Sequence, residues 1–336
     1  MRVLAIESTC DETAAAVVEG DGKGVRIISN TVASSADIHT KYGGIVPEVA
    51  AREQIKSIIP VLTEALDGVD LNSIDAIAVT YGPGLIGSLL VGIETARSLA
   101  LTWNKPLIKV NHLEAHIAAN WILDGERKTI PALPAIGLII SGGHTDLLFI
   151  ESYTNWKWIG GTVDDAAGEA FDKVARVLGL PYPGGPSMQK AAEMAIGNNL
   201  AIKLPRPMIH ERNLKMSFSG LKAAVAKLVM NELNEKWVNA LAREFNEAVA
   251  EVLSKKTSDA IDLHQPRSLL VAGGVAANKI IRLKLSEMAK DMGVDIFLPE
   301  LKYCGDNAAM VGAAAILNPD LTKIENLRPE PSLMME

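Results

Sequence analysis

Cysteine is nearly absent from this 336-residue chain, with Cys10 and Cys304 the only two. That is too few for a disulfide framework, and a reducing compartment would keep both as thiols. Aromatic residues make up 4% of the chain, and no apolar run reaches membrane-spanning length. No G-x-x-x-x-G-K-[ST] loop is present, which argues against a P-loop nucleotide site. A positive excess is missing too: the formal net charge is -7, so any contact with a polyanion has to be local or shared with a partner. Met1 runs directly into the strand-like Arg2-Val3-Leu4-Ala5-Ile6, without the charged head, apolar stretch and cleavage site of a secretory leader. A cytoplasmic protein with no membrane contact is therefore expected.

What is present is 48% hydrophobic residues and 27 glycines, a balance that suits an α/β protein of two lobes better than one compact core. The apolar runs 2–6 and 14–18 flank the small, polar "ESTCDET", which reads as a hairpin connection. The same pattern recurs with 136–140 and 147–150 around "SGGHTD". A second element also occurs twice: 76–100 and 268–289 each read as strand, glycine turn and helix, so the halves share one plan. Two prolines in "KTIPALP" (128–134) mark the boundary. The expected division is a first lobe of 1–130, to which 310–336 returns, and a second lobe of 131–309. Residues 180–220, rich in Pro, Gly and charge, read as a loop-rich insertion in the second lobe.

"VNHLEAHI" (110–117) places His112 and His116 four positions apart, so on a helix both imidazoles project from one face while Glu114 points nearly the opposite way. The rings can converge on one ion, or they are two ordinary surface or capping histidines. In a zinc-protease helix the catalytic Glu follows the first His directly; here that position is Leu113, which disfavours peptide hydrolysis. Asp306, in "YCGDNAAMVG", sits where a glycine turn enters a helix, and is either an N-cap or a carboxylate aimed into a site. Two His and one carboxylate would leave coordination positions open, as a Lewis-acid site requires, and iron(II) and zinc both suit that donor set.

The paired glycines of "SGGHT" (141–145), "GGP" (184–186) and "AGGVAAN" (272–278) can bring backbone N–H groups close to an anion, although each alone is more commonly just a turn. Asp172 lies on a helix whose start is acidic with Asp164, Asp165 and Glu169; either that face is simply solvated, or Asp172 accepts from ribose hydroxyls. From Lys203 to Lys227 the chain carries Lys203, Arg206, Arg212, Lys215, Lys222 and Lys227 against the single acid Glu211. The stretch is a solvated face or a phosphate track. The helix in 43–66 is amphipathic and suits either a partner interface or core packing.

Taken together, "ESTCDETAAAV", "YGGIVPEVAAR", "GPGLIGSLLVG", "NHLEAH", "SGGHTDL", "DDAAGEAFDKVARVLGLPYPGGP", "MSFSGLK", "AGGVAAN" and "CGDNAAM" resemble the bacterial TsaD-type tRNA N6-adenosine threonylcarbamoyltransferases over nearly the whole chain. The resemblance implies duplicated ribonuclease H-like lobes of the actin, sugar kinase and heat-shock chaperone type, with a nucleotide cleft between them. It implies transfer of threonylcarbamoyl from threonylcarbamoyl-adenylate to tRNA, with release of AMP. By position it places metal ligands on His112, His116 and Asp306, and substrate contacts on Ile139, Ile140, Ser141, Gly142, Gly143, Asp172, Gly185 and Asn278. Glu12 and His144 are the nearest candidates for a general base. Lys203, Arg206, Arg212, Lys215 and Lys222 become the preferred tRNA contact, and a TsaB-like paralogue and a TsaE-like ATPase the implied partners. The competing readings are a small-molecule kinase of the same fold, which has no need of the histidine pair, and a non-catalytic scaffold paralogue, which would have lost the triad.

Overall fold

The structure is a computed structural model that describes residues 1–124, 129–195, 200, 202–229 and 234–333. Lys128 of the expected boundary, and 196–199 and 201 of the expected insertion, lie outside them. The chain forms two units, Met1–Pro131 with Pro299–Glu336, and Ala132–Leu298. The return to the first unit thus starts at Pro299 rather than at 310.

In chain order the first unit contributes strands β1 (Arg2–Glu7), β2 (Glu12–Gly20) and β3 (Val25–Ser34), helices α1 (Ala36–Thr40) and α2 (Pro47–Ala65), then β4 (Ala76–Gly82), α3 (Ile86–Trp103), β5 (Leu107–Asn111) and α4 (His112–Ala118). The second unit follows with β6 (Ala135–Ile140), β7 (Thr145–Ser152), β8 (Asn155–Thr162), α5 (Ala167–Val177), α6 (Gly184–Met194), β9 (Lys215–Met216), α7 (Ser219–Val229), α8 (Glu235–His264), β10 (Ser268–Ala272), α9 (Lys279–Met292) and β11 (Asp295–Phe297). Helix α10 (Ala308–Leu317) and β12 (Leu321–Thr322) complete the first unit.

Each unit is built on a six-stranded sheet, ordered β12-β5-β4-β1-β2-β3 and β11-β10-β6-β7-β8-β9. In the first, β1 pairs antiparallel with β2 and parallel with β4. In the second, β6 pairs antiparallel with β7 and parallel with β10. The duplicated plan is therefore real at the level of topology: a hairpin on one side of the leading strand, a crossover strand on the other.

The first sheet is covered on both faces, which explains why β1 is a continuous apolar run rather than an alternating one. Val3 and Ala5 pack with Ala16, Val18 and the small-residue helix α10. Leu4 and Ile6 point the other way, against Ile58 and Leu62 of α2 and Leu89 and Ile93 of α3. Among the described residues no helix is long and apolar enough to cross a membrane.

Two local expectations are corrected. "GGPSMQKAAEM", expected within loops, is helix α6, entered from Pro183 with Gly184, Gly185 and Pro186 in its first turn. A proline there forfeits no intrahelical bond, because the first N–H groups of a helix have no partner to lose. Asp164 and Asp165 precede α5 instead of lying on its face. Asp164 accepts from the Ser217 and Ser219 hydroxyls and from the N–H groups of Phe218 and Ser219, so it caps α7 from a distance.

Candidate metal centre and substrate-binding turns

Strand β5 ends at Asn111, whose side chain accepts from the Leu113 N–H and so starts α4 at His112. This cap sets the phase of the helix, and the spacing of four then brings His112 and His116 onto one face with ring centroids 4.6 Å apart and planes at 73°. Glu114 turns away toward Lys109 and Asp320; burial and the charge of Asp320 raise its carboxyl to about 7 against the lowering influence of Lys109.

The ambiguity over Asp306 is resolved by its neighbour. Asn307 is the N-cap of α10, its side chain accepting from the Met310 N–H. Asp306 is thereby released from capping and turns its carboxylate to the histidines. Its Oδ1 lies 3.5 Å from His112 Nε2 and 3.2 Å from His116 Nε2. One donor atom from each of the three residues falls within 4.8 Å of the others.

The electrostatics are those of a site built for positive charge. Burial would raise the Asp306 carboxyl, yet the two imidazoles hold it well below the usual carboxylate range. Burial would lower His112, but Asp306 and Glu7 outweigh it and raise the imidazole to about 9. Burial, with Asp306 and Asp11 adding to it, pushes Glu12 far above the ordinary carboxylate range. Burial, with Asp11 and Asp306, also pushes the Cys10 thiol up, away from the reactive thiolate form.

A divalent cation fits these residues. His116 is 2% exposed, and although Asp306 Oδ1 is near, neither ring nitrogen has a hydrogen-bond partner. A buried ring with both nitrogens unsatisfied is costly, and a cation on one of them removes part of that cost.

The turn 8–11 beside the triad is held from beneath. Gln54 of α2, 1% exposed, directs its amide N–H groups at the carbonyls of Ser8, Cys10 and Glu12 at 3.2, 2.8 and 3.1 Å. Ser88 donates to Cys10 O, and the Leu85 N–H to Thr9 O. Two further residues near His112 were not picked out by sequence reasoning. Glu7 Oε2 and Thr9 Oγ1 lie 3.2 and 3.4 Å from His112 Nδ1. The signal for Glu7 was a single acid ending an otherwise apolar strand.

In the second unit, Ile139 and Ile140 are buried at the end of β6, and Ser141, Gly142 and Gly143 form the turn to β7. Ser141 O accepts the Gly168 N–H at the start of α5, and Ser141 Oγ accepts the His144 N–H. His144 belongs to this turn. A Cβ on Gly142, Gly143 or Gly185 would meet open space, and none has a left-handed φ. Neither packing nor backbone geometry therefore demands glycine at these positions. By contrast Gly273 has φ +90° and a Cβ there would lie 2.5 Å from Ile140 O. Asp172 Oδ1 accepts the Gly184 N–H at 2.7 Å, fixing α6 to α5. Asn278 caps α9 through its Oδ1, and its Nδ2 donates to Asn246 Oδ1.

Of the basic stretch, Lys203, Arg212, Lys215, Lys222 and Lys227 are exposed, and none makes a salt bridge among the described residues. Arg206 differs: its guanidinium pairs with Glu244 and Glu251 of α8, leaving its side chain 13% exposed. Beneath the stretch the buried Lys256 donates to the carbonyls of Glu211 and Asn213 at 2.8 and 2.7 Å.

The family profile described as TsaD, tRNA N6-adenosine threonylcarbamoyltransferase, matches residues 26–313. A protein of that name from Moorella thermoacetica is 49% identical over 93% of this chain and 90% of its own length. One from Clostridium perfringens is 46% identical over 99% of this chain and 98% of its own. Among solved structures, HypF of T. kodakarensis superposes with a TM-score of 0.59 at 16% identity, covering 94% of this chain and 47% of that one. Component A of the (R)-2-hydroxyglutaryl-CoA dehydratase of Acidaminococcus fermentans superposes with a TM-score of 0.53 at 17% identity, covering 94% of this chain and 98% of that one. These two share the fold, the duplicated lobe of the actin and sugar kinase type.

Proposed function

Because the chain belongs to the tRNA N6-adenosine threonylcarbamoyltransferase family, we propose that it transfers threonylcarbamoyl from threonylcarbamoyl-adenylate to N6 of the adenosine 3′ of the anticodon in tRNAs reading codons that begin with A. It is an acyltransferase of tRNA modification. The N6 lone pair is delocalised into the purine, so the amine is a poor nucleophile and the acyl donor has to be activated. The mixed anhydride provides this: the N–C bond forms at the carbamoyl carbon, the C–O bond to phosphate breaks, AMP departs, and the amine proton passes to the departing phosphate or to water.

His112, His116 and Asp306 would hold one divalent cation, iron(II) or zinc, and when bound it supplies Lewis-acid polarisation of an oxygen of the adenylate. The open glycines Gly142, Gly143 and Gly185 present backbone N–H groups to the phosphate, with Ile139, Ile140 and Ser141 shaping the approach. Asp172 and Asn278 face the nucleoside; Asn278 has the lesser part, since its amide already caps α9. Lys203, Arg212, Lys215 and Lys222 contact tRNA phosphates, while Arg206 secures the stretch to α8. No general base is assigned to Glu12 or His144.

A TsaB-like paralogue would cover the face of α2 and α3 where Ile55, Ile59 and Leu90 are 63%, 63% and 41% exposed. A TsaE-like ATPase completes the cytoplasmic assembly. The observation that carries the reading is the convergence of the three donors within 4.8 Å in a chain of this family. Its test is mass spectrometry of tRNA nucleosides after incubation with threonine, bicarbonate, ATP, the enzyme that makes the adenylate, and the two partners. Threonylcarbamoyladenosine should form only when this chain is present; its appearance without the chain, or its absence with it, would remove the proposal.

A further inference from the structure

Glu7 closes β1 and is 0% exposed, a setting in which a carboxylate is costly unless both oxygens are engaged. Oε1 accepts the Thr9 N–H at 2.6 Å. Oε2 lies 3.2 Å from His112 Nδ1, on the opposite side of the ring from Nε2, which faces Asp306. Thr9 Oγ1 is the other polar atom near Nδ1, at 3.4 Å. Once Nε2 serves as a ligand, the remaining ring proton sits on Nδ1, and Glu7 is the acceptor aimed at it. His116 Nδ1 has no such acceptor, so the two histidines of the pair are not equivalent.

The geometry points to Glu7 as a positioning residue that fixes the orientation and proton of His112 so that Nε2 is presented to the cation. The inference rests on the metal reading of the triad. Outer carboxylates of this kind typically contribute about 10- to 100-fold in metal affinity.

Glu7→Gln separates this role from packing. The Thr9 N–H can only donate, so it holds the amide oxygen and turns the NH2 group toward His112 Nδ1. Two donors then meet unless the ring moves its proton to Nε2, the ligand atom. Glu7→Ala instead leaves room for water to accept from Nδ1–H. A packing role ranks the near-isosteric Gln variant above Ala in every property; the positioning role ranks it above Ala in stability and no better than Ala in metal binding.

The experiment measures zinc affinity by chelator competition, and melting temperature, for the wild type and both variants. The expected result is zinc binding weakened about 10- to 100-fold in Glu7→Gln, at least as much as in Glu7→Ala, with Glu7→Gln the more stable fold. Zinc affinity of Glu7→Gln within about twofold of wild type, or a loss in Glu7→Ala that exceeds it in step with stability, would overturn the role of Glu7 alone. A wild type that fails to take one zinc per chain would overturn the triad reading as well, so the two failures are distinct.

Discussion

Oδ1 of Asp306 stands 3.2 Å from Nε2 of His116, yet the imidazole has no hydrogen-bond partner at either nitrogen. A carboxylate oxygen this close to Nε2, with the His112 Nε2 3.5 Å from the same atom, is an arrangement that one cation can bridge. Asp306→Ala and His112→Ala are therefore expected to lose bound metal, measured by atomic emission on the purified protein. Stoichiometric metal in either variant would refute the triad.

The glycines divide into those that the fold requires and those that it does not. Gly142→Ala places its Cβ in open space at an ordinary φ, so stability should hold or rise by up to about 1 kcal/mol through a less flexible unfolded chain. AMP binding should nevertheless weaken about tenfold, a loss of about 1.4 kcal/mol, as the methyl group occupies the ligand's approach. Gly273→Ala, with φ +90° and Ile140 O in the way, should instead destabilise by about 1–3 kcal/mol. Calorimetry on both variants checks the contrast; unchanged AMP affinity in Gly142→Ala would take the turn out of the binding site.

Lys215 and Lys222 are exposed, and no ion pair holds either among the described residues. Reversing both to Glu should weaken tRNA binding and reduce the slope of log affinity against log salt by about 2, at roughly one unit per phosphate contact. AMP affinity should be unaffected. Equal loss of both ligands would make the stretch structural.

Asp164 ties the chain before α5 to the start of α7. Burial would raise its carboxyl, but hydrogen bonds from Ser217, Ser219 and the N–H groups of Phe218 and Ser219 hold it below the ordinary value. A depressed folded-state value means that the stabilisation is complete above the unfolded-state pKa of about 4, and is lost as pH falls through the lower folded value. Asp164→Asn should cost about 1 kcal/mol at pH 7, the usual worth of a cap, and the gap to wild type in urea melts should close in acid. A gap that persists unchanged at the lowest pH would show that the carboxylate charge contributes nothing.

By itself the amino-acid order determined the local grammar of the protein. Short apolar runs marked β1 and β6 as strands, the recurrence of hairpin and crossover revealed the duplication, and a spacing of four put His112 and His116 on one helical face. These are properties of residue order and spacing along the chain, visible without knowing what packs where. Tertiary structure alone decided the rest. Whether Asp306 capped α10 or faced the histidines turned on which of two adjacent polar residues took the helix N–H groups, and Asn307 took them. Glu7 acquired a role only when β1 and β5, the strand that leads into α4, were brought into one sheet with β4 between them, across more than a hundred residues of chain. Arg206 read as one of a basic run until α8 supplied Glu244 and Glu251, because a charge's partner is set by distance in space, which sequence spacing does not encode.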